Sequence, residues 1–447
     1  MLDDAAGNIL SKYDPGARRG LTLAIKTNYV TTSPSNCRNV HFGIDNGRID
    51  AGWTDAGRPG NAVNVFALTV HGGQLYAATC DPGKDGAGHV YRYAGGTDWI
   101  DCGSPDRSNA ISPLAAYQGK LYAGSAWYNM AGSSLPPSPN DTPGGRVFRF
   151  EGGKRWVDCG RLAGIGSVYG LAVYGGKLYA SSRYKPAAVF RYEGGRDWVS
   201  CGTPDGRRVT TLNVFNGRLY GLSLDGGFVF RYEGGTEWST IGKLPDTTQT
   251  YGFATYEGNM YVSTWPTATV FRYDGDDNWA NCGRLGKELE VMGMAVYNGK
   301  LYAGTLPLAE VYRYDGGRTW TRTGQLDTTP NVRYRRAWSM AVFQGKLFSG
   351  TLPSGHVYSI EAGKSVTHDY ELGPGWRHLA AVRSGGSLKL YLDGKQVAAS
   401  GSFNPGDYDL SNDRPLRIGF GDHDYFNGSL SDVRLYNRAL TPEELTK

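Results

Sequence analysis

Residues 198–238 read WVSCGTPDGRRVTTLNVFNGRLYGLSLDGGFVFRYEGGTEW, and this stretch decides the fold. Trp198 and Trp238 bracket one unit. Within it the apolar runs TTLNVF and RLYGLS are joined by Asn216-Gly217, a dipeptide that tolerates the positive φ angles of a two-residue hairpin. FVFRY follows, and Glu233-Gly234-Gly235 turns the chain into the strand that begins at Trp238. Each unit therefore holds four short strands, here A (inner), B, C and D (outer).

The same phrase recurs along the chain. Its Trp stands at Trp53, Trp99, Trp156, Trp198, Trp238, Trp279 and Trp320. The B strand carries Leu75-Tyr76, Leu121-Tyr122, Leu178-Tyr179, Leu219-Tyr220, Met260-Tyr261, Leu301-Tyr302 and Leu347-Phe348. The C strand starts at Val90, Val147, Val189, Val229, Val270, Val311 and Val357. Four-stranded units of roughly 40 to 45 residues predict a β-propeller, here with seven blades. The 65 glycines suit a chain that turns so often. The D strand at Trp53 precedes any A strand, so it is expected to complete the last blade and leave the ring without an open edge.

Residues outside the repeat read differently. The C-terminal part contains GWRHLAAVRSGGSLKLYLDGKQVAASG and PLRIGFGDHDYFNGSLSDVRLYNRALTPEEL. The phrases from Trp376 to Val382, Leu390 to Gly394 and Phe426 to Leu440 resemble those of the laminin-G-like jelly roll, a concanavalin A-like lectin/glucanase sandwich. The segments ILSKYDPGARRGLTLAI and NVHFGID resemble earlier strands of that sandwich. The expected architecture is all-β: residues 1–48 and 362–447 form one jelly roll, and residues 49–361 form a propeller inserted in it. The family has further strands ahead of the LSKYD segment, and here Met1 lies too close to Leu10 to supply them. The expectation is a chain trimmed at its N-terminus, or a reduced sandwich whose open edge accepts a strand from another copy.

Composition narrows the function. Net charge is +5, with basic and acidic residues interspersed, and no Lys/Arg block suggests nucleic acid. No apolar run approaches the length of a membrane span. No signal peptide is visible at Met1; the resemblance implies an extracellular or cell-surface protein. Cys102, Cys159, Cys201 and Cys282 share one repeat slot that elsewhere holds Ala56, Ile241 and Thr323. Equivalent positions on neighbouring blades are too far apart for a disulfide, so these read as buried thiols, and Cys37 and Cys80 have no partner by spacing. Zinc spacing is absent.

In a propeller the B–C and D–A loops share one face around the channel mouth. The repeat places Phe66, Ser112, Tyr169, Thr210, Tyr251, Met292 and Trp338 around that mouth. Tyr169, Tyr251 and Trp338 are candidate platforms for a sugar ring, with Trp265 and Trp127 on the rim. Arg183, Arg335 and Arg336 are candidates to grip a uronate carboxylate or a sulfate. The repeat position alone equally allows Tyr169 and Tyr251 to pack between blades. His89 and His356 occupy one slot, just before the C-strand Val, on blades adjacent across the closure. With Tyr251 and Arg335 they are the candidate groups of a polysaccharide lyase, which needs a cation on the carboxylate and a base for the C5 proton. In the sandwich, Asp422 and Asp424, with Asp407 and Asp409, are loop carboxylates of the kind calcium prefers; no other cofactor is expected.

The reading is a carbohydrate-binding protein whose partner is a glycan held at the propeller face, with a lectin-like accessory domain. The alternatives are a glycan-degrading lyase and a surface-assembly protein that associates through the open sandwich edge.

Overall fold

The computed structural model describes residues 6–29, 34–48 and 50–446; the side chains of residues 27–38, Cys37 among them, lie outside the described set. The described residues are all-β apart from four short 3-10 turns.

The repeat folds as successive antiparallel meanders. The unit quoted above forms Thr211–Phe215, Arg218–Leu222, Phe228–Gly234 and Glu237–Lys243, paired in that order. The strands from Asn64 to Asp101 and from Ala110 to Arg161 make two such meanders, joined into one eight-stranded sheet by a Cys80–Ala110 bridge. In the last meander, Arg336–Phe343, Lys346–Leu352 and Val357–Ile360 are followed by Thr54–Asp55, which pairs with Tyr358 and Ser359.

Each meander buries both faces against its neighbours. Ala172, Tyr179, Val209 and Phe230 pack one such seam, and Ala254, Tyr261, Val291 and Tyr312 another. Val65 and Leu68 meet Ala341 and Phe348 in the same way, so the first and last meanders pack together and the sheets form a closed propeller ring.

The repeated Trp and Cys have one physical explanation. Six of the seven indoles donate Nε1–H to the backbone of the preceding D strand, among them Trp156 to the Cys102 carbonyl at 2.8 Å, Trp198 to Cys159 at 2.8 Å, Trp238 to Cys201 at 2.9 Å and Trp320 to Cys282 at 2.8 Å, whereas Trp53 donates to Thr323 Oγ1 at 3.2 Å. The Trp ties one sheet to the next, and the Cys slot need only be small enough to bury beneath it. Cys80, Cys102, Cys159, Cys201 and Cys282 are all free and buried.

The flanking segments build two further sheets. Lys364–His368, Pro34–Asn46, Arg19–Tyr29, Gly7–Asp14 and Arg417–Ile418 lie side by side in one. Leu379–Ser384, Ser387–Leu392 and Lys395–Ala399 form the other. Val40, Phe42, Ile44 and Val366 meet Leu388 and Leu390 between them, the core of a sandwich. The phrase from Phe426 to Leu440 forms no strand, and Leu430, Val433, Leu435 and Tyr436 stay exposed.

The sandwich seats against the A–B turns of the propeller. Asn298 Nδ2 donates to the carbonyls of Ile44 at 3.0 Å and Ala362 at 2.8 Å. Gly258 N donates to the His423 carbonyl at 3.3 Å, and Gly73 N to the Asp369 carbonyl at 3.1 Å. Gly299, at φ +80°, lies so close that a Cβ there would stand 2.4 Å from the Tyr13 ring. Two buried ion pairs, Lys300–Asp45 and Lys26–Asp422, cross or flank this joint. The sandwich therefore covers the turn face, and the B–C and D–A loops occupy the opposite one.

Candidate functional site

At the loop face, the starts of several A strands deliver side chains to one cluster. Phe66, Tyr169, Met292 and Trp338 belong to one apolar cluster there, with Cys80, Met130 and Leu306, and all are buried. The loop from Trp127 to Gly145 lies over them. Its Tyr128 ring stands 4.9 Å from Phe66 and 6.3 Å from Trp338, both edge-on. The loop is bolted down at several points. Asn109 Oδ1 accepts from Tyr128 N at 2.7 Å, Ser138 Oγ donates to the Pro82 carbonyl at 2.9 Å, and Asn140 Nδ2 donates to the Arg107 carbonyl at 2.9 Å.

Two guanidiniums sit among these rings. Arg183, from the loop after Lys177–Ser182, lies 4.4 Å over Tyr169, 4.9 Å over Tyr128 and 5.7 Å over Trp338. Arg336 lies 5.2 Å over Trp338 and 5.6 Å over Tyr334, and its Nη1 donates to Ser133 Oγ at 2.8 Å. The ring faces offset part of the cost of burying these cations. Glu290, at the head of its A strand, is 2% exposed. Burial raises its carboxyl to about 7, against the opposing pull of Arg336, Tyr251 and Arg183. Burial likewise pushes the Tyr251 phenol well above its ordinary value.

Several polar atoms here are buried with no hydrogen-bond partner: Arg183 Nε and Nη1, Arg336 Nε and Glu290 Oε1. Buried donors without acceptors cost about 1–3 kcal/mol each, more when charged. Arg183, Tyr251, Trp265 and Tyr334 are only half-buried, so the cluster opens toward solvent on their side. Trp265 and Tyr334 meet edge-on at 6.1 Å, and Trp127 and Tyr184 meet at 5.9 Å.

Of the sequence candidates, Tyr169, Arg183 and Trp338 come into direct contact, and Tyr251 and Trp265 join the same cluster. Arg335 points elsewhere. Its backbone pairs with Leu308, and its Nε donates to the Pro307 carbonyl at 3.4 Å, which places it on the rim while Arg336 turns inward. Glu290, Tyr128 and Ser133 were not singled out from sequence. Glu290 has a signal there, a lone carboxylate inside the apolar run Leu289–Val296.

His89 and His356 stand just before strand C, opposite the end of strand D. His89 Nδ1 pairs with Asp101 at 2.8 Å and His356 Nδ1 with Asp55 at 3.0 Å. Arg146–Asp158 at 2.6 Å and, with signs reversed, Glu310–Arg322 at 2.5 Å fill the same positions. The slot is thus a clasp between strands C and D. Burial pushes the Asp101 carboxyl up, but hydrogen bonds from His89, Lys154 and Gly103 outweigh it and bring it to about 2.

Asp422 is not a rim carboxylate. It is buried in the joint, accepting from Asn8 Nδ2 at 2.7 Å, from Thr22 Oγ1 and from Gly299 N at 3.2 Å, and pairing with Lys26 at 3.3 Å. Asp424 accepts from the Tyr425 amide at 2.7 Å, and burial raises it to about 6. Among the described residues no three His, Cys, Asp or Glu side chains gather as metal ligands. Nor is any helix of the described residues long and apolar enough to cross a membrane.

Residues 317–446 match the family model of the concanavalin A-like lectin/glucanases superfamily. The sandwich is of that lectin-like kind. The matched span begins within the propeller and takes in the sandwich strands from Lys364 onward, whereas the three from Gly7 to Asn46 lie outside it. A search of curated sequences finds no match. Among solved structures, a catalytically inactive virginiamycin B lyase from Staphylococcus aureus with quinupristin superposes at TM-score 0.52, with 8% identity over 69% of this chain and 98% of that one. YCF48 from Cyanidioschyzon merolae gives 0.50, with 13% identity over 70% and 99%. The extracellular domain of a putative hybrid two component system from B. thetaiotaomicron gives 0.50, with 13% identity over 74% and 41%. At these identities the likeness is one of fold, and the shared fold is the propeller.

Proposed function

We propose that this chain is an extracellular carbohydrate-binding protein that holds an acidic glycan at the loop face of its propeller. The observation that carries the reading is the half-buried cluster of Arg183, Arg336, Tyr251, Trp265 and Trp338, whose buried guanidinium nitrogens lack acceptors. A uronate carboxylate or a sulfate offers oxygens to Arg183 and Arg336, and each charge-assisted hydrogen bond is worth about 1.5–3 kcal/mol. The half-exposed Trp265 offers an apolar face to the C–H side of a pyranose. The lectin-like sandwich supports a carbohydrate context, and the extracellular-domain neighbour a location outside the cell.

The arrangement supports binding better than elimination. Each histidine lies against a tyrosine of its own strand, Tyr91 or Tyr358, and not against a ring of the cluster, and the Tyr251 phenol is held far from ionisation. A panel of acidic and neutral polysaccharides, followed by calorimetry and by absorbance near 235 nm, tests the reading. Binding of acidic glycans without rising absorbance is the expected result. Rising absorbance establishes a lyase, and neutral glycans binding as well as acidic ones refutes the role of the arginines.

A further inference from the structure

We propose that the site reads the end of an acidic glycan chain, seating one terminal charged sugar rather than an internal stretch. This rests on the glycan reading above. The argument is the asymmetry of the channel mouth. On one side the loop 127–145 closes it. Met130 and Ser133 are buried, Tyr128 wedges against Phe66 and Trp338, and Ser133 Oγ accepts from both Arg336 Nη1 and Tyr128 OH or shares its proton with the latter.

That loop is fixed to the segments around Pro82 and Arg107, so it forms a wall. On the other side Tyr251, Trp265 and Tyr334 keep surface open to solvent. A site walled on one side and open on the other admits a chain terminus; a chain passing through meets the wall. The guanidiniums place the charge at the blind end, because Arg336 bonds the wall itself and Arg183 stacks on its Tyr128. The ligand is therefore an oligosaccharide whose terminal residue carries the carboxylate or sulfate, with the next sugars leaving past Trp265 and Tyr334.

Calorimetric titration of the whole chain with oligogalacturonates of two, four and eight sugars, the long polymer, and a matched sulfated series tests this. The expected result, in whichever series binds, is one protein per chain at every length. Oligomers immobilised through one terminus bind, and those immobilised through the other do not. Protein bound in proportion to chain length, or equal binding to both immobilised forms, overturns chain-end reading while leaving acidic glycan binding intact. Absence of binding to every member of both series overturns the glycan reading and this inference with it. Arg183→Met, its fold checked by circular dichroism, is expected to weaken the terminal contact about 10- to 100-fold. Unchanged affinity in that variant places the charged end elsewhere and also refutes the proposal.

Discussion

Replacing Glu290 by Gln isolates the electrostatic cost of the site. Glu290 is fully enclosed, and burial lifts its carboxyl from an ordinary value of 4.5 to about 7. The folded protein thus holds this proton to a higher pH than the unfolded chain does. Between those two values the folded state binds more protons, so stability falls as pH rises through that window and levels off above it. A displacement of about 2.5 units corresponds to about 3 kcal/mol at pH 8. Gln keeps the shape and removes the ionisation. Urea denaturation of parent and Glu290→Gln at pH 4, 6 and 8 is the assay. The two should have similar pH-dependence below pH 4.5 and again above pH 7, and the variant should gain about 3 kcal/mol on the parent between pH 4 and pH 8. Burial also raises Glu288 to about 7, but that contribution is common to both proteins and cancels in the difference. A difference between the two proteins that stays constant across these pH values would show that Glu290 ionises freely, and the reasoning would fall.

The sandwich–propeller joint makes its own prediction: Asp45→Asn leaves Lys300 buried and unpaired, at a cost of about 3–5 kcal/mol in urea unfolding, and Lys300→Met in the same background should recover most of it. Additive losses in the double variant would show that the two charges do not interact. Trp238→Phe removes the indole bond to the Cys201 carbonyl and should cost about 1–3 kcal/mol without changing glycan affinity. The thiols of Cys80, Cys102, Cys159, Cys201 and Cys282 should not react with Ellman's reagent until the chain unfolds, because burial holds each in its neutral form. His89→Gln and His356→Gln should leave binding unchanged, since each ring lies against Tyr91 or Tyr358 of its own strand and not against the cluster; a tenfold loss in either would return them to the site.

The repeat was legible because it is enforced by bonds that recur. Trp, the small slot three residues on, and the Arg of the C strand each meet the same partner in successive sheets, as in Arg191–Glu193 at 2.5 Å and Arg231–Glu233 at 2.7 Å. Periodic function leaves periodic sequence. The site breaks the period, and that is why it was read only in part. Tyr169, Tyr251 and Trp338 stand out by their place in the repeat. Arg335 and Arg336 are neighbours in sequence, and only strand alternation around Ala337 decides which faces inward. Glu290 lies in a run that reads as core. His89 and His356 share one slot in the repeat, but its chemistry depends on the residue across the hairpin, twelve positions on for His89 and on a distant strand for His356. Asp422 looked like a loop carboxylate because sequence does not reveal that another sheet covers the loop.

Strands Pro34–Asn46 and Lys364–His368 pair directly, from Val40–His368 to Ile44–Lys364, and Asp50 bridges Ala362 just beyond. In effect they are the two arms of a hairpin whose turn is the whole propeller. Closing a flexible loop costs about 0.6 kcal/mol per doubling of its length, so a disordered insert of several hundred residues would burden this hairpin by about 4 kcal/mol over a short turn. Once Thr54–Asp55 has joined Val357–Ile360, that penalty is gone, because the ring itself delivers the two arms side by side. Folding order follows from this. The first sandwich strands leave the ribosome early, yet their partner is positioned only after the ring has shut, so a lesion in the closing sheet should stall the sandwich while a lesion in the sandwich spares the ring.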